Sequence, residues 1–438
     1  MFNLPKYGDG ICLARLAELL DAIDVDRGRL QRLSVVVTGS NGKGSTAAFC
    51  ANIGRAFGLR TGLFTSPHLY EVNERLQIDG TQIGDDDVAR LRGRIEAAIA
   101  DISERRNQRF SNFEAMFALA CLYFQEKQCD LMVFEAGIGG RYDPVRLVGA
   151  LFTGVTSVDY EHVELLGDRL ELIVSDKSDA CASGGTIVYG ENCRALRSHI
   201  LEYNRYRDIT SQFVRDQIGI GGEIISASGQ HFDLSVPPYD FRALEIRLSG
   251  TFQFNNAAIA ASLFLLWLRE TRPEAAPAAI EAAVRSGIGS TSWPGRLEVI
   301  AQNPLTVIDV GHTPDGVRQA LTGLKAAHGS DGWILVLGIS FDKKADEIAA
   351  VLAPSFDTII CTSAHHKGAD AETVAAAARQ ANPEAAVHVA ASIEDALRLS
   401  RTLAASQARK IYAAGGLFLA IEYANLARGG RTEDLHFL

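Results

Sequence analysis

The chain has 438 residues, 47% of them apolar, and a formal net charge of −10. That length allows two or three domains with sizeable cores, and the acidic balance opposes a nucleic-acid partner, which would favour a basic face. Seven cysteines stand at 12, 50, 121, 129, 181, 193 and 361 with no CxxC pair, a pattern of buried thiols in a reducing compartment, without structural zinc. The first residues, MFNLPKYGDG, carry no basic start followed by an apolar run, so no signal peptide is expected. No run of about 18 apolar residues exists, so no membrane span is expected and the location is expected to be cytoplasmic.

In chain order, Leu33 to Thr38 is a short β-branched run that predicts a buried parallel strand. GSNGKGST (39–46) follows. It is not the common phosphate-loop pattern, because the first glycine of that pattern falls at Val37 and the residue after Lys43 is Gly44. Phe49, Ile53 and Phe57 then recur at helical spacing, with Gly58 as a stop, and RTGLFTS reads as the next strand. Strand, loop, helix and strand in that order are the setting a phosphate loop needs. The long stretch TSPHLYEVNERLQIDG is either a surface Ω-loop or a substrate-contacting loop.

Val88, Leu91, Ile95, Ile99 and Ile102 predict a second helix capped near Asp85, and Phe113 to Phe124 a third, more buried one. CDLMVFEAGIGGRYD predicts a strand ending in Glu135, and ALFTGVTSVDYEH one ending near His162. These are expected to be adjacent, delivering both side chains to the carboxyl edge of a sheet, where ligands bind in open α/β folds. Residues 215–250 read as short antiparallel strands, and FNNAAIAASLFLLWLRE as a helix. After a boundary near Gly287 to Arg296 come five strand–helix units, begun by LTVIDV, WILVLGIS, DTIICTS, AVHVAAS and KIYAAGG, which predict a second, doubly wound domain.

Lys43, after a glycine turn at a helix start, can hold β- and γ-phosphates. The N–H groups of Gly42, Gly44 and Ser45 supply an anion site, and Ser45 or Thr46 can face Mg²⁺. The bland reading is a plain glycine turn. Glu135 is either a hydrated strand end or a hard oxygen ligand for Mg²⁺. His162 is either a satisfied core imidazole or a metal-site residue. Lys177, near Asp168, Glu171, Asp176 and Asp179, reads as a solvated helix charge.

SNGKGST, GLFTSPHL, NERLQIDG, EAGIGGRYD, FQFNNAA, PGRLE and DVGHTP, in this order between residues 10 and 425, resemble the folylpolyglutamate synthase/dihydrofolate synthase family of the Mur ligase superfamily. That superfamily uses a loop of the form G-x-x-G-K-[GST]-[ST], here Gly39 to Ser45. The resemblance implies an α/β protein: a P-loop ATPase domain of the Mur ligase central type (residues 1–290), then a smaller Rossmann-like C-terminal domain (297–438). It implies ATP and Mg²⁺ as cofactors. Gly39, Asn41, Gly42, Lys43, Gly44, Ser45 and Thr46 would form the nucleotide loop. Gln253, Asn256, Arg296, Asp309 and His312 match nucleotide-contacting positions, and Ser66, Glu135 and His162 match magnesium ligands. Lys43, Lys177 and His162 are the implied catalytic set, Lys177 matching a lysine that is carbamylated in the family.

The implied reaction is ATP-dependent joining of an amino acid, glutamate first among them, to a folate or dihydropteroate carboxylate through an acyl phosphate. Alternatives are a Mur-type ligase acting on a non-folate acid and a non-catalytic nucleotide-binding regulatory protein. The expected partners are small-molecule acid and amino-acid substrates, with no nucleic acid, no membrane and a monomeric chain. Several positions depart from the family pattern: Glu161-His162 stands where the family has Asp-His, HTP at 312–314 where it has HNP, and DKSDA around Lys177 where it has EKAGI. Arg146 replaces an asparagine, and Phe117 stands where a threonine is associated with the pterin pocket.

Overall fold

A computed structural model describes every residue except 1, 3, 6, 7, 11, 227, 228, 436 and 438. Part of the N-terminal segment read above, and two residues of the predicted 215–250 strands, therefore lie outside the described residues.

The first sheet has eight strands: β1 (Ser34–Thr38), β2 (Thr61–Phe64), β3 (Leu76–Ile78), β4 (Thr81–Gln82), β5 (Leu131–Glu135), β6 (Phe152–Val155), β7 (Thr186–Tyr189) and β8 (Thr210–Phe213). Their spatial order is β4-β3-β2-β5-β1-β6-β7-β8. β1 is central and parallel to both β5 and β6, and its buried residues divide between two cores. Val35 and Val37 pack toward the helices Lys43–Ala56, Phe252–Thr271 and Pro277–Ser290. Val36 packs toward the helices Leu13–Ala22, Asp85–Arg106 and Asn112–Glu126. A strand covered on both faces has no polar side to show, which is why β1 reads as an unbroken apolar run.

This order corrects one expectation. The strands leading to Glu135 and His162 are not neighbours, because β1 lies between β5 and β6. β6 also stops at Val155, so His162 is carried by the loop beyond it, as the cap of the short helix Val163–Leu166. The predicted antiparallel strands are β9 (Gly219–Ser226), β10 (Gly229–Val236) and β11 (Tyr239–Ile246), a separate three-stranded sheet. Its apolar side closes over the helix Phe252–Thr271, with Phe232 and Phe254 rings 5.1 Å apart.

The second large sheet contains the five predicted strands, β13 (Leu305–Ile308), β14 (Trp333–Leu337), β15 (Thr358–Cys361), β16 (Ala386–Val389) and β17 (Lys410–Ala414), each followed by a helix. An additional edge strand, β12 (Glu298–Gln302), pairs antiparallel with β13. The order is β12-β13-β17-β14-β15-β16, with helices on both faces. The edge strand escaped sequence reading because EVIAQ is short and half-buried rather than alternating.

Candidate active site

The carboxyl ends of β1, β2, β5 and β6 meet one another and face the second sheet across a cavity of about 390 Å³. The loop after β1 is shaped by its glycines. Gly42 sits at φ +86°, and a Cβ there would lie 2.5 Å from the Asn256 Oδ1; Gly39 sits at φ +143° with Thr156 Oγ1 1.9 Å from the same point. Any side chain would clash at both places, and left-handed backbone is costly for L residues. The loop is also tied to the end of β6. Ser40 N–H donates to the Ser157 carbonyl (2.9 Å), Asn41 N–H to Ser157 Oγ (2.8 Å), and Thr156 Oγ1 to the Asn41 carbonyl (2.6 Å).

The helix Lys43–Ala56 begins directly at the loop. The N–H groups of its first turn have no intrahelical acceptor, and its dipole adds partial positive charge there. Lys43 folds back, its Nζ donating to the Gly39 carbonyl at 2.8 Å. Asn41 Nδ2 and Thr46 Oγ1 are buried without a hydrogen-bond partner. Of the two, Asn41 lines the cavity, and an unsatisfied donor beside free helix N–H groups is the feature an anionic phosphate group would complete.

Asn41, Gly42, Lys43, Gly44, Ser45, Ser66, Glu135, His162, Asn256, Arg296, Asp309 and His312 all line the cavity. Gly39, Thr46, Gln253 and Lys177 do not. Gly39 shapes the turn. Gln253 is fully buried behind the loop, bonded to Asn256 (3.0 Å) and reaching Ser45 Oγ at 3.5 Å. Its place is that of a brace for the two groups that reach the cavity. In the long stretch after β2, Ser66, Pro67, His68 and Arg75 line the cavity. Glu74 instead receives the N–H groups of Leu69, Tyr70 and Glu71, so it fixes the loop's course.

Glu135 is buried, with Oε2 accepting the Ser66 N–H at 3.0 Å. Loss of hydration raises its pKa to about 7, against the pull of Lys43, the Ser66 N–H, Arg296 and Arg75. No group of three or more His, Cys, Asp or Glu residues among the described ones could by itself hold a metal. Magnesium keeps most of its ligands as water and phosphate and takes only one or two protein carboxylates. A buried, under-compensated Glu135 with the Ser66 and Ser45 hydroxyls on the same wall fits that ion. His162, in left-handed backbone at φ +46°, lines the same cavity.

Lys177 is not a solvated charge. It is fully buried in the helix Leu170–Ser178, and its Nζ donates to Glu161 Oε1 at 2.6 Å. The nearby acids that suggested hydration have other work. Asp176 accepts the Gly140 N–H (2.8 Å), and Asp179 pairs with Arg141 and Arg207. Desolvation pushes the Glu161 pKa up, but Lys177, then Lys43, carry it down to about 2. Desolvation lowers the Lys177 pKa, with Glu161 opposing it.

From the second lobe, Asp309 is buried and accepts N–H groups of Gly311 (2.8 Å) and Leu297 (3.1 Å). Desolvation raises its pKa, with Arg296 acting against it. Lys343 and Lys367 also line the cavity, and the sequence reading had not singled them out. The available signal was their position just beyond β14 and β15, at the carboxyl edge of a parallel sheet. Arg146 and Phe117 lie off the cavity. Arg146 is exposed, donating to the Arg141 carbonyl, and Phe117 is core, its ring 5.7 Å from that of Phe134. These two departures leave the cavity wall unchanged, whereas Glu161 and Thr313 are on it.

A glycine loop of phosphate-loop form facing a second, largely parallel sheet across one cavity lined by charges of both signs defines a two-lobed α/β phosphate-loop protein. Residues 295–415 match the family model described as Mur ligase, glutamate ligase domain. The chain is 30% identical over 360 residues to the folylpolyglutamate synthase of Lacticaseibacillus casei, covering 82% of this chain and 81% of that one. It is 29% identical over 321 residues to the dihydrofolate synthase/folylpolyglutamate synthase of Bacillus subtilis (strain 168), covering 73% of each. The crystal structure of the Mycobacterium tuberculosis folylpolyglutamate synthase complexed with ADP and AMPPCP matches with a TM-score of 0.84 at 26% identity, over 95% of each chain. The chain belongs to the folylpolyglutamate synthase/dihydrofolate synthase family.

Proposed function

We propose that this protein is an ATP-dependent ligase that joins glutamate to a folate or dihydropteroate carboxylate, with ATP and Mg²⁺ at the cavity. The observation that carries the reading is the meeting of the phosphate loop, Glu135 and the second-lobe residues Arg296, Asp309 and His312 on one cavity wall. Family membership supports it. Residues 1–290 would form the phosphate-loop domain and 297–438 the second domain, working as two jaws of the cleft. No described helix is long and apolar enough to cross a membrane.

In this reading, Lys43 and the first-turn N–H groups hold the nucleotide phosphates, with Asn41 Nδ2 and Asn256 beside them. Glu135, Ser66 and His162 would hold Mg²⁺, which supplies charge neutralisation on the phosphate oxygens. The acid substrate's carboxylate attacks the γ-phosphorus, the bond from that phosphorus to the β,γ-bridging oxygen breaks, and ADP leaves as the acyl phosphate forms. The amino group then attacks the acyl carbon, loses its proton, and inorganic phosphate leaves. Negative charge spreads over the transferring phosphoryl group, and Lys43 with the loop N–H groups is preorganised to stabilise it. Lys177 would support this wall through Glu161. Closing the lobes excludes water from the acyl phosphate.

The test is a substrate panel. Dihydropteroate, tetrahydrofolate and unrelated acids are each paired with glutamate and with other amines, reading phosphate release and product mass. The expected result is phosphate release that needs both an acid and an amine, with a product heavier by one glutamyl residue. Phosphate release with neither, or no nucleotide turnover with any pair, removes the reading.

A further inference from the structure

The loop after β2 belongs to the first sheet by chain order, yet two of its side chains are built into the second lobe. Leu69 and Tyr70 pack against the core that contains Val310, Leu419 and Tyr423. Leu69 also meets the segment that joins the lobes. A Cβ on Gly295 would stand 3.3 Å from Leu69 Cδ1 and 2.7 Å from Val310 Cγ1, so the loop, the joining segment and the stretch beyond β13 converge on that glycine. Its N–H donates to Glu298 Oε2 (2.7 Å), and its carbonyl accepts the Val310 N–H (2.9 Å).

Arg428 ties these pieces together. It follows the helix Leu417–Ala427, whose first residues Leu417 and Phe418 line the cavity. Its Nη1 donates to Tyr70 Oη at 2.8 Å, its Nη2 donates to Glu298 Oε1, and its guanidinium carbon lies 5.8 Å from the Tyr70 ring centroid. Glu298 thus gives one oxygen to Arg428 and the other to the Gly295 N–H. The contacts run without a break from Tyr70 through Arg428 and Glu298 to Gly295. At one end, upstream of Tyr70 on the same loop, Ser66 lines the cavity and its N–H meets Glu135 at 3.0 Å. At the other end, directly after Gly295, Arg296 lines it too. The Arg428 and Glu298 side chains are 42% and 22% exposed, and an ion pair so open to water adds little to stability. What the pair supplies is geometry, since a planar guanidinium holds two acceptors in one fixed arrangement.

We propose that Tyr70, Arg428 and Glu298 are positioning residues for ligation, setting the loop that carries Ser66 and the segment that carries Arg296 in register with each other. This rests on the ligase reading above and deepens it. In that reading Ser66 stands on the magnesium side of the cavity and Arg296 on the nucleotide side. In-line phosphoryl transfer is catalysed chiefly by position and charge, so both walls must be fixed together.

The experiment compares the full-length protein with its Arg428→Met, Arg428→Lys, Tyr70→Phe and Tyr70→Phe/Arg428→Met variants. Urea unfolding, equilibrium binding of ADP with Mg²⁺, and steady-state ligation of dihydropteroate with glutamate are measured on each. Misplacing a wall by about 1 Å can cost ~10²-fold in rate, so Arg428→Met should lower kcat by about 10- to 100-fold and raise the Kd for ADP with Mg²⁺ by about 10-fold. Its unfolding midpoint should stay close to that of the parent. Tyr70→Phe removes one acceptor and should lower kcat by about 3- to 10-fold. Arg428→Lys can keep Glu298 paired without the two-pronged fork and should recover part of the loss. The double variant should match Arg428→Met within about 2-fold, because the two side chains act as one unit. Parental kcat and ADP affinity in Arg428→Met overturn the inference. So does a multiplicative loss in the double variant, or a fall in kcat that merely tracks loss of folded protein. If Arg428→Met does not fold, Tyr70→Phe decides on the same readouts, and parental values there overturn the inference. Absence of amine-dependent phosphate release by the unmodified protein defeats the ligase reading, and ADP binding then decides the positioning role by itself.

Discussion

Replacing Glu161 by glutamine should be costly, because it strands a charge. Lys177 is completely buried and Glu161 is 14% exposed, with Nζ and Oε1 2.6 Å apart. At an effective dielectric of 20, two unit charges at that distance attract by about 6 kcal/mol before desolvation is counted. Removing one partner of such a pair typically costs about 3–5 kcal/mol, since the remaining charge stays out of water. Urea unfolding of Glu161→Gln should therefore show a loss of about that size. Lys177→Met/Glu161→Gln should cost less than the sum of the single changes, with a coupling of about 2 kcal/mol or more.

The pH dependence has a definite sign. The folded pKa of Glu161 lies near 2, below the ordinary glutamate value. Its contribution is thus fully present above the unfolded pKa and fades as pH falls toward 2. The carbamylation implied by family resemblance leads to the opposite result. A carbamate would set two anions side by side, so Glu161→Gln would be neutral or stabilising. A loss below about 1 kcal/mol, together with a 44 Da (~) mass increase on Lys177, refutes the ion-pair reasoning.

Lys43→Ala should lower ligation by about 10²-fold or more while leaving the unfolding midpoint close to that of the parent, because a main charge stabiliser is lost without disturbing the core; near-parental turnover would exclude Lys43 from the phosphate site. Glu135→Gln and His162→Ala should each raise the Mg²⁺ concentration for half-maximal rate by about 10-fold, as expected when a ligand or its neighbour is removed, and an unchanged Mg²⁺ profile in His162→Ala removes that histidine from the metal set. Glu114→Ala should destabilise the fold by about 3–5 kcal/mol in urea, because Arg15 is fully buried with its Nη2 2.7 Å from that carboxylate; a change under about 1 kcal/mol would show that the interior solvates Arg15 by other means.

Periodicity and motif order were enough to read the phosphate loop, the five later strand–helix units and most of the groups that line the cavity. Those features are local: the spacing of Phe49, Ile53 and Phe57 sets a helix face, and the glycines of 39–44 set a turn whatever surrounds them. Strand order is not local, so the insertion of β1 between β5 and β6 required the assembled sheet. The burial of Lys177 likewise depends on Glu161, brought from a different loop, and on the other elements around it. Acidic neighbours in sequence suggested a hydrated charge because sequence proximity does not say which side of a helix is covered. The same limit hid Lys343 and Lys367, whose loops belong to different strand–helix units and become one surface only when β14 and β15 pair. Local chemistry identified a loop suited to phosphate; the packing of distant segments determined which charges face it and which are neutralised behind it.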